Sequence, residues 1–337
     1  MRNKLYDSHL LFSKQFDIPL IIVGNLSVGG TGKSPHIEYL IRLLKSNLNV
    51  ATLSRGYGRE TDEFVLANSN SSAEEIGDEP RQFKNKFPDV EVAVDKSRVN
   101  GISKLLKDFP QLNLILLDDA FQHRAVKAGL SILLTDYSNL YRDDYLLPTG
   151  TLREFKSGAK RANIIIVTKC LNTITSKERE LVLYKINCLP HQKVYFSFIT
   201  YGEIIPGRLL ENGNIKDSQE YALNKKNSVL LLTGIANPKS IEDYLMDKVH
   251  HVVNARFADH HQFTKKDMVV ILNLFNTIAS ENKFLVTTEK DWMRLQNSVY
   301  INLLNQIPIF YLPIEVDFSD TDKQTFNNQI IQYVRGN

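Results

Sequence analysis

The sequence predicts an α/β protein in which a parallel-sheet domain is joined by a strand-rich linker to a second, smaller α/β domain. Three observations predict it. Short, continuous apolar runs of strand length recur along the first half, as strands buried on both faces do. A glycine-rich segment, Ser27-Val28-Gly29-Gly30-Thr31-Gly32-Lys33-Ser34, separates one such run from a helical pattern. Around residues 194–226 turn signals become dense, and a second alternation of apolar runs begins at Val229.

Residues 1–17 read as a short helix that is both basic and apolar (Arg2, Lys4, Leu5, Leu10, Leu11, Phe12, Phe16), which fits a packed helix or a membrane-surface one. Pro19-Leu20-Ile21-Ile22-Val23 reads as a buried strand. After the glycine-rich loop, Pro35 to Leu44 places Ile37, Leu40, Ile41 and Leu44 on one helical face. Further strand-length runs are Val50–Leu53, Val90–Val94, Leu114–Leu117, Ser131–Leu134 and Ile164–Val167, so a parallel sheet is expected over 18–193. Val194–Ile199 reads as a strand, Pro206-Gly207 as a turn and Glu211-Asn212-Gly213-Asn214 as a hairpin candidate, giving a β-hairpin linker over 194–226. Val229–Gly234, Phe284–Thr288 and Ile307–Tyr311 then mark a smaller α/β domain over 227–337.

Bulk properties exclude several classes. A chain of 337 residues can bury two cores, and 43% hydrophobic with 23% charged residues is ordinary for a soluble protein. No apolar run approaches the ~18 residues of a membrane span, and no signal-peptide pattern opens the chain. The two cysteines, Cys170 and Cys188, lack the spacing of a zinc site or a disulfide framework, which fits a reducing, cytoplasmic compartment. A net charge of +3 does not argue for nucleic acid, yet leaves room for a local basic pocket taking an anionic small molecule or lipid headgroup.

A strand, a glycine-rich turn and a helix start make an anion site, because backbone N–H groups converge there and the helix dipole adds positive potential. Ser27 to Ser34 are therefore the expected nucleotide-binding residues, with Lys33 reaching the β- and γ-phosphates and Ser34 ligating magnesium. Ser27 stands where the usual phosphate-loop pattern has its first glycine. The bland alternative is a structural glycine turn. The partner acid belongs at the end of an apolar strand, and Leu114-Ile115-Leu116-Leu117-Asp118-Asp119 supplies it. The first domain is thus expected to be of P-loop NTPase type.

More polar clusters follow strands, where α/β sheets place their sites: Ser54 to Gly58, Gly77 to Pro80, Asp118 to Arg124, Leu152 to Glu154, and Ala258 to His261. Each has a dull reading, such as an N-cap at Asp78 or a capping turn at Asp259-His260-His261. Adjacent histidines point different ways, so a shared metal there is disfavoured.

Together these stretches resemble one family, tetraacyldisaccharide 4'-kinase, the lipid A kinase of Gram-negative bacteria. The matching stretches are Val23-Gly24-Asn25-Leu26-Ser27-Val28-Gly29-Gly30-Thr31-Gly32-Lys33-Ser34-Pro35, Ser54-Arg55-Gly56-Tyr57-Gly58, Gly77-Asp78-Glu79-Pro80 and Asp118-Asp119-Ala120-Phe121-Gln122-His123-Arg124. They continue with Leu147-Pro148-Thr149-Gly150-Thr151-Leu152-Arg153-Glu154, Gly234-Ile235-Ala236-Asn237-Pro238, Phe257-Ala258-Asp259-His260-His261 and Thr288-Glu289-Lys290-Asp291. The family carries Ser or Thr where Ser27 stands, and usually Gly where this chain has Ala120. Its members usually begin with about twenty further residues forming an amphipathic, membrane-associating helix, so residues 1–17 are expected to be a truncated form of that segment.

The resemblance implies ATP and Mg²⁺ as cofactors and transfer of the γ-phosphoryl group to the 4'-hydroxyl of tetraacyldisaccharide 1-phosphate, a lipid A precursor. It implies a cytoplasmic protein in peripheral contact with the inner membrane, with no nucleic acid and no obligate protein partner. Ser34, Asp118 and Glu154 are the expected metal shell, with Asp119 in reserve. Lys33 and Asp119 are expected in catalysis. The resemblance also pairs Asp78 with His260 as a proton acceptor and its orienting histidine. Arg55, Arg153 and Lys290 are expected to meet the lipid phosphate or transferred charge, and Asn25, Glu79 and Gln122 to line the substrate site. His123 fits that list or a polar core role behind the acids.

Two rivals keep the phosphate loop and lose the rest. Another P-loop enzyme, such as a biotin-pathway ligase or small-molecule kinase, would lack the Asp78 and His260 pairing. A P-loop switch would hydrolyse nucleotide slowly and ignore any lipid acceptor. A guanine switch also wants Asn-Lys-x-Asp after a strand, and Thr168-Lys169-Cys170-Leu171 lacks both the Asn and the Asp.

Overall fold

The computed structural model describes residues 2–8, 10–59, 62–208, 221–235, 238–259 and 261–336. In chain order the strands are β1 (Leu20–Asn25), β2 (Val50–Ser54), β3 (Val65–Leu66), β4 (Glu91–Val94), β5 (Leu114–Asp118), β6 (Leu130–Asp136), β7 (Ile164–Cys170), β8 (Lys193–Tyr201), β9 (Ile205–Arg208), β10 (Ser228–Thr233), β11 (His251–Arg256), β12 (Lys283–Thr288), β13 (Ile309–Leu312) and β14 (Ile314–Phe318). The α-helices are α1 (Arg2–Asp7), α2 (Lys33–Leu44), α3 (Ala73–Ile76), α4 (Asp78–Lys86), α5 (Arg98–Asp108), α6 (Ser176–Ile186), α7 (Lys239–Lys248), α8 (Lys265–Thr277), α9 (Glu289–Gln296) and α10 (Asp320–Arg335).

The chain divides into two compact units, residues 1–200 with 316–337, and residues 201–315. Among the described residues, the first holds a nine-stranded sheet in the order β14-β8-β7-β6-β1-β5-β2-β4-β3. Strand β1 runs parallel to both β5 and β6, and β2 runs parallel to both β5 and β4. Period-2 alternation sends Ile21 and Val23 into one core and Leu20 and Ile22 into the other, so β1 is buried on both faces. This is why the run reads as continuously apolar. Ile37, Leu40, Ile41 and Leu44 of α2 fill the first of those cores, as their spacing predicts.

Register decides where chemistry gathers. Val23 sits opposite Asp118, Leu53 opposite Leu117, and Ser54 opposite Val94. The C-terminal ends of β1, β5, β2 and β4 therefore line up on one sheet edge. That edge presents the glycine loop, Asp118-Asp119, Ser54-Arg55 and Asp95 side by side, as open α/β sheets present their sites.

Three expectations change. The N-terminal helix ends at Asp7 and not near residue 17. Beyond it Lys14 bridges Val126, its N–H bonding the Ala125 carbonyl at 2.8 Å and the Ser13 hydroxyl bonding the Arg124 carbonyl at 2.6 Å. Pairing with the 124–126 loop takes this backbone out of helix. The segment expected as a linker from residue 194 begins instead with β8, a member of the large sheet that pairs in parallel with β7. The C-terminal residues return to the first unit: Phe326 and Ile330 of α10 pack in its core, and the Tyr333 hydroxyl bonds the Leu20 carbonyl at 3.1 Å. The hairpin candidate at 211–214 lies outside the described residues.

Among the described residues, the second unit holds a five-stranded sheet ordered β11-β10-β12-β13-β9, parallel except for β9. Its Thr288-Glu289-Lys290-Asp291 stretch opens α9. The Thr288 hydroxyl donates to Asp291 at 2.7 Å, the Gly234 N–H donates to the same carboxylate at 2.9 Å, and Arg294 lies 3.4 Å from its other oxygen. Asp291 is fully buried and ties β10, β12 and α9 together. Asp291→Ala is expected to destabilise this unit by about 2–4 kcal/mol, because three donors lose a buried charged acceptor. Urea unfolding followed by Trp292, the chain's single tryptophan, would report the lowered midpoint directly.

Candidate active site

The site is built in the first unit around the turn from β1 to α2. Gly29 and Gly32 hold φ of 100° and 86°, left-handed values that glycine reaches without strain. The loop is pinned on its far side by a short antiparallel bridge between Ser27 and Leu152, with the Val28 N–H bonding the Thr151 carbonyl and the Arg153 N–H bonding the Leu26 carbonyl, both at 2.7 Å. It is anchored beneath by His36, which packs on its own preceding turn. One ring nitrogen lies 2.6 Å from the Gly32 carbonyl and the other 3.1 Å from the Ser197 hydroxyl. Burial drives its pKa down to about 4, so the ring is neutral, with Nδ1–H donating to the carbonyl.

Lys33 opens α2. Its ammonium is 3.4 Å from Asn25 Oδ1 and 3.7 Å from Asp119 Oδ1, both long contacts that a phosphate can replace. Asn25 is a hub: its side-chain oxygen also accepts from Arg153, and its carbonyl accepts from Gln122 at 2.7 Å. Its side-chain nitrogen is buried with no partner.

The two strand-end acids are driven apart in proton affinity. Asp118 is buried, and burial together with the charge of Asp119 pushes its carboxyl up to about 6 against the pull of Lys33. Glu79 pushes in the same direction, which places the Gly77-Asp78-Glu79 stretch near this acid. Ser54 bonds Asp118 Oδ2 at 3.3 Å, while Oδ1 is sealed from solvent without a partner. Burial would likewise raise Asp119, but Arg153 grips it with two bonds of 2.8 and 3.1 Å, and with Lys33 and Arg98 holds it below the usual carboxylate range. Asp119 itself adopts φ 45°, a left-handed value that Asp tolerates better than most residues.

Asp78 is the first residue of α4 and half-buried. It is carried there by Gly77, whose φ is 93° and where a Cβ would lie 3.2 Å from the Tyr57 carbonyl and 3.3 Å from Gly56 Cα. Only glycine lets the 54–58 loop and the start of α4 pack this closely. Arg55 is exposed on that loop, near enough for its charge to lower the Arg98 pKa.

Glu154, expected in the metal shell, spends both oxygens on protein donors: Arg161 at 2.7 Å, Gln122 at 3.0 Å and Asn3 at 2.9 Å. The half-buried His123 accepts the Arg98 backbone N–H at 3.3 Å. Lys290 lies half-buried in the second unit, in the first turn of α9. His260 lies outside the described residues, so its expected role rests on the family resemblance alone. Its neighbour His261 stacks on Phe257 and shares a 2.9 Å bond with Asp267, a helix-capping arrangement.

Arg98 was not foreseen from the sequence. Its guanidinium is buried at the start of α5, bonding the Asp118 carbonyl at 3.0 Å and the Asp95 carbonyl at 2.9 Å, and burial lowers its pKa to about 10. The only available signal was Asp95-Lys96-Ser97-Arg98 directly after a strand. The contacts of Ser54 with Asp118 and of His36 with Ser197 are hidden in the sequence as well, since strand order brings these partners together.

Magnesium fits this donor set. Such an ion takes one or two protein oxygens and fills its shell with phosphate and water oxygens. A buried carboxylate oxygen without a partner, close to Lys33 and one strand away from the buried Ser34, offers that. The Asp118 shift has a measurable sign. Raised from 3.8 to about 6, the carboxyl favours the metal-free fold below pH 4, and about 3 kcal/mol of that stability is lost as pH climbs through 6. Stabilisation by magnesium nucleotide is expected to grow over the same window. Thermal melts with and without Mg-ATP from pH 5 to 8 would show it, and Asp118→Asn should flatten the part that ATP's own titration does not explain.

A phosphate loop beside strand-end acids and a facing acidic helix start defines a P-loop phosphotransferase, an enzyme that handles nucleoside triphosphate. Sequence and fold comparisons narrow the class. The family model described as Tetraacyldisaccharide-1-P 4'-kinase (LpxK) matches residues 1–335, and the chain belongs to that family. It is 47% identical to the tetraacyldisaccharide 4'-kinase of Flavobacterium johnsoniae, covering 100% of this chain and 93% of that one. It is 46% identical to that of Bacteroides thetaiotaomicron, covering 100% and 90%. The crystal structure of the "apo" form of LpxK from Aquifex aeolicus in complex with ATP superposes with a TM-score of 0.69 at 26% identity, covering 99% of this chain and 94% of that chain.

Proposed function

We propose that this kinase uses the sheet edge of its first unit to hold magnesium-bound ATP and to deprotonate its acceptor. The overall reaction is ATP-dependent 4'-phosphorylation of tetraacyldisaccharide 1-phosphate in lipid A biosynthesis. The loop N–H groups of residues 28–34 and the Lys33 ammonium bind the β- and γ-phosphates. Ser34 and Asp118 hold the metal, and Glu154 serves by fixing Gln122 and Arg161. Magnesium, when bound, neutralises charge that builds on the phosphoryl oxygens. Asp78 takes the proton of the 4'-hydroxyl as the new O–P bond forms, the bond between the γ-phosphorus and its bridging oxygen breaks, and ADP leaves. We carry His260 as the residue that orients Asp78, and Arg55 and Arg153 as contacts for substrate charge.

The observation that carries the reading is Asp118: a buried carboxylate oxygen with no partner, beside the phosphate loop, whose carboxyl is pushed up by burial and by the charge of Asp119. Chelation by EDTA is expected to abolish transfer, and added Mg²⁺ to restore it. Transfer that persists in EDTA would refute the metal role.

The same proposal extends to placement. Phe12 and Leu10 are 85% and 69% exposed beyond α1, and no helix among the described residues is long and apolar enough to cross a membrane. Peripheral contact with the cytoplasmic face of the inner membrane suits such a surface.

A further inference from the structure

Glu38 lies inside α2, five positions after Lys33, and is fully buried. A carboxylate is costly to bury unless partners satisfy its oxygens. Those partners come mainly from α4. Glu38 Oε1 accepts from the Gln82 amide at 2.7 Å, and Oε2 accepts from the Lys86 ammonium at 2.7 Å. Arg42, one turn further along α2, lies 3.4 Å from the same Oε2. The phosphate and metal chemistry described above uses none of these four residues.

The spacing ties this cluster to the site. Asp78, Gln82 and Lys86 follow one another at intervals of four, on one side of α4. The side that grips Glu38 is therefore the side that carries Asp78. At 1.5 Å per residue, Glu38 is roughly 7.5 Å along α2 from Lys33, and Gln82 roughly 6 Å along α4 from Asp78. One buried carboxylate thus joins the helix that opens on the phosphate-binding lysine to the helix that opens on the proposed proton acceptor.

Apolar packing joins the same helices, since Phe83 of α4 shares a core with Ile37 and Ile41 of α2. That attraction is non-directional and holds the pair together without setting how far one helix slides or turns on the other. Hydrogen bonds to a charged group are short and directional, and they do set it. Phosphoryl transfer depends on that setting, because a misplacement of about 1 Å can cost about 10²-fold in rate.

We propose that Glu38 is a positioning residue for phosphoryl transfer: it clamps α4 on α2 so that Asp78 is held in register with the phosphate loop. The inference rests on the reading of Asp78 as proton acceptor and adds the device that places it. Sealed from solvent, Glu38 acts through Asp78 and not by touching nucleotide or acceptor. Its loss is therefore felt in kcat and not in ATP binding.

The test is a double-mutant cycle. Glu38→Gln removes the charge that holds Lys86. Glu38→Leu/Gln82→Leu/Lys86→Met replaces the whole cluster with apolar groups of similar size, a change that buried ion pairs often tolerate without loss of stability. Each is made with Asp78 intact and in Asp78→Ala, and kcat, ATP affinity and melting temperature are measured. With Asp78 intact, kcat is expected to fall roughly tenfold to a hundredfold in the triple variant and less in Glu38→Gln, at unchanged ATP affinity and melting temperature. In Asp78→Ala the same substitutions are expected to cause no further loss, because the group they place is gone. Equal fold-losses in both backgrounds, an unaltered kcat with Asp78 intact, or ATP affinity falling in step with kcat would each overturn the proposal. Near-normal turnover in Asp78→Ala by itself would overturn the proton-acceptor reading, and with it the route by which Glu38 acts.

Discussion

Asp78→Ala is expected to lower turnover by about 10²–10⁴-fold while ATP binds with near-normal affinity. The split follows from where Asp78 stands. It opens α4, next to the 54–58 loop, and is not part of the phosphate loop that grips nucleotide. Removing an acid from a helix N-terminus costs only about 0.3–1 kcal/mol, so the fold survives. Asp78→Asn should fail equally, since an amide keeps the shape but cannot accept the proton. Steady-state kinetics with a parallel ATP-binding titration would check both. Turnover within tenfold of the unaltered enzyme would remove Asp78 from the proton path.

Lys33→Ala is expected to lower turnover by about 10²–10³-fold and to weaken ATP binding as well, because the ammonium serves ground state and transition state alike. The lysine is poised for exchange: its two protein contacts, at 3.4 and 3.7 Å, are weaker than a bond to a phosphate oxygen. Losing it also strips Asp118 and Asp119 of a compensating charge. The Asp118 carboxyl should then titrate still higher and metal affinity fall, which places the two residues in one electrostatic unit. Lys33→Arg should not rescue turnover, because a planar fork cannot replace a point charge on the loop. Comparing kcat and the KM for ATP across the two variants decides it: near-normal values in Lys33→Ala would show that the loop amides suffice.

Lys33 and Asp118 are legible in the sequence because their signals are local, whereas the role of Asp78 comes from the family resemblance alone. Strand, glycine turn and helix follow one another in under thirty positions, and the apolar run ending in Asp118-Asp119 announces a buried strand with an acid at its tip. The central strands read clearly for the same reason, being apolar on both faces. The missed elements lack that signature. Strand β3 has two residues, and β11 is an edge strand with an incompletely buried face. The return of β14 and α10 to the first unit is a long-range choice with no local mark.

Side-chain partnership was the least legible part of the site. Nothing in the spacing of Arg98 says that its guanidinium caps the Asp118 carbonyl, since that contact needs β5 and β4 to flank β2. Glu154 shows the converse. The family resemblance puts it in the metal shell, but Arg161 nearby and Asn3 and Gln122 from farther along the chain bond its oxygens.

The most direct test is one transfer assay with γ-labelled ATP, Mg²⁺ and tetraacyldisaccharide 1-phosphate in detergent. Label is expected on the lipid at the 4'-position, with ADP formed in equal amount and both signals lost in Asp78→Ala. Unlabelled lipid from folded, ATP-binding protein would contradict the assignment of this site to 4'-phosphoryl transfer.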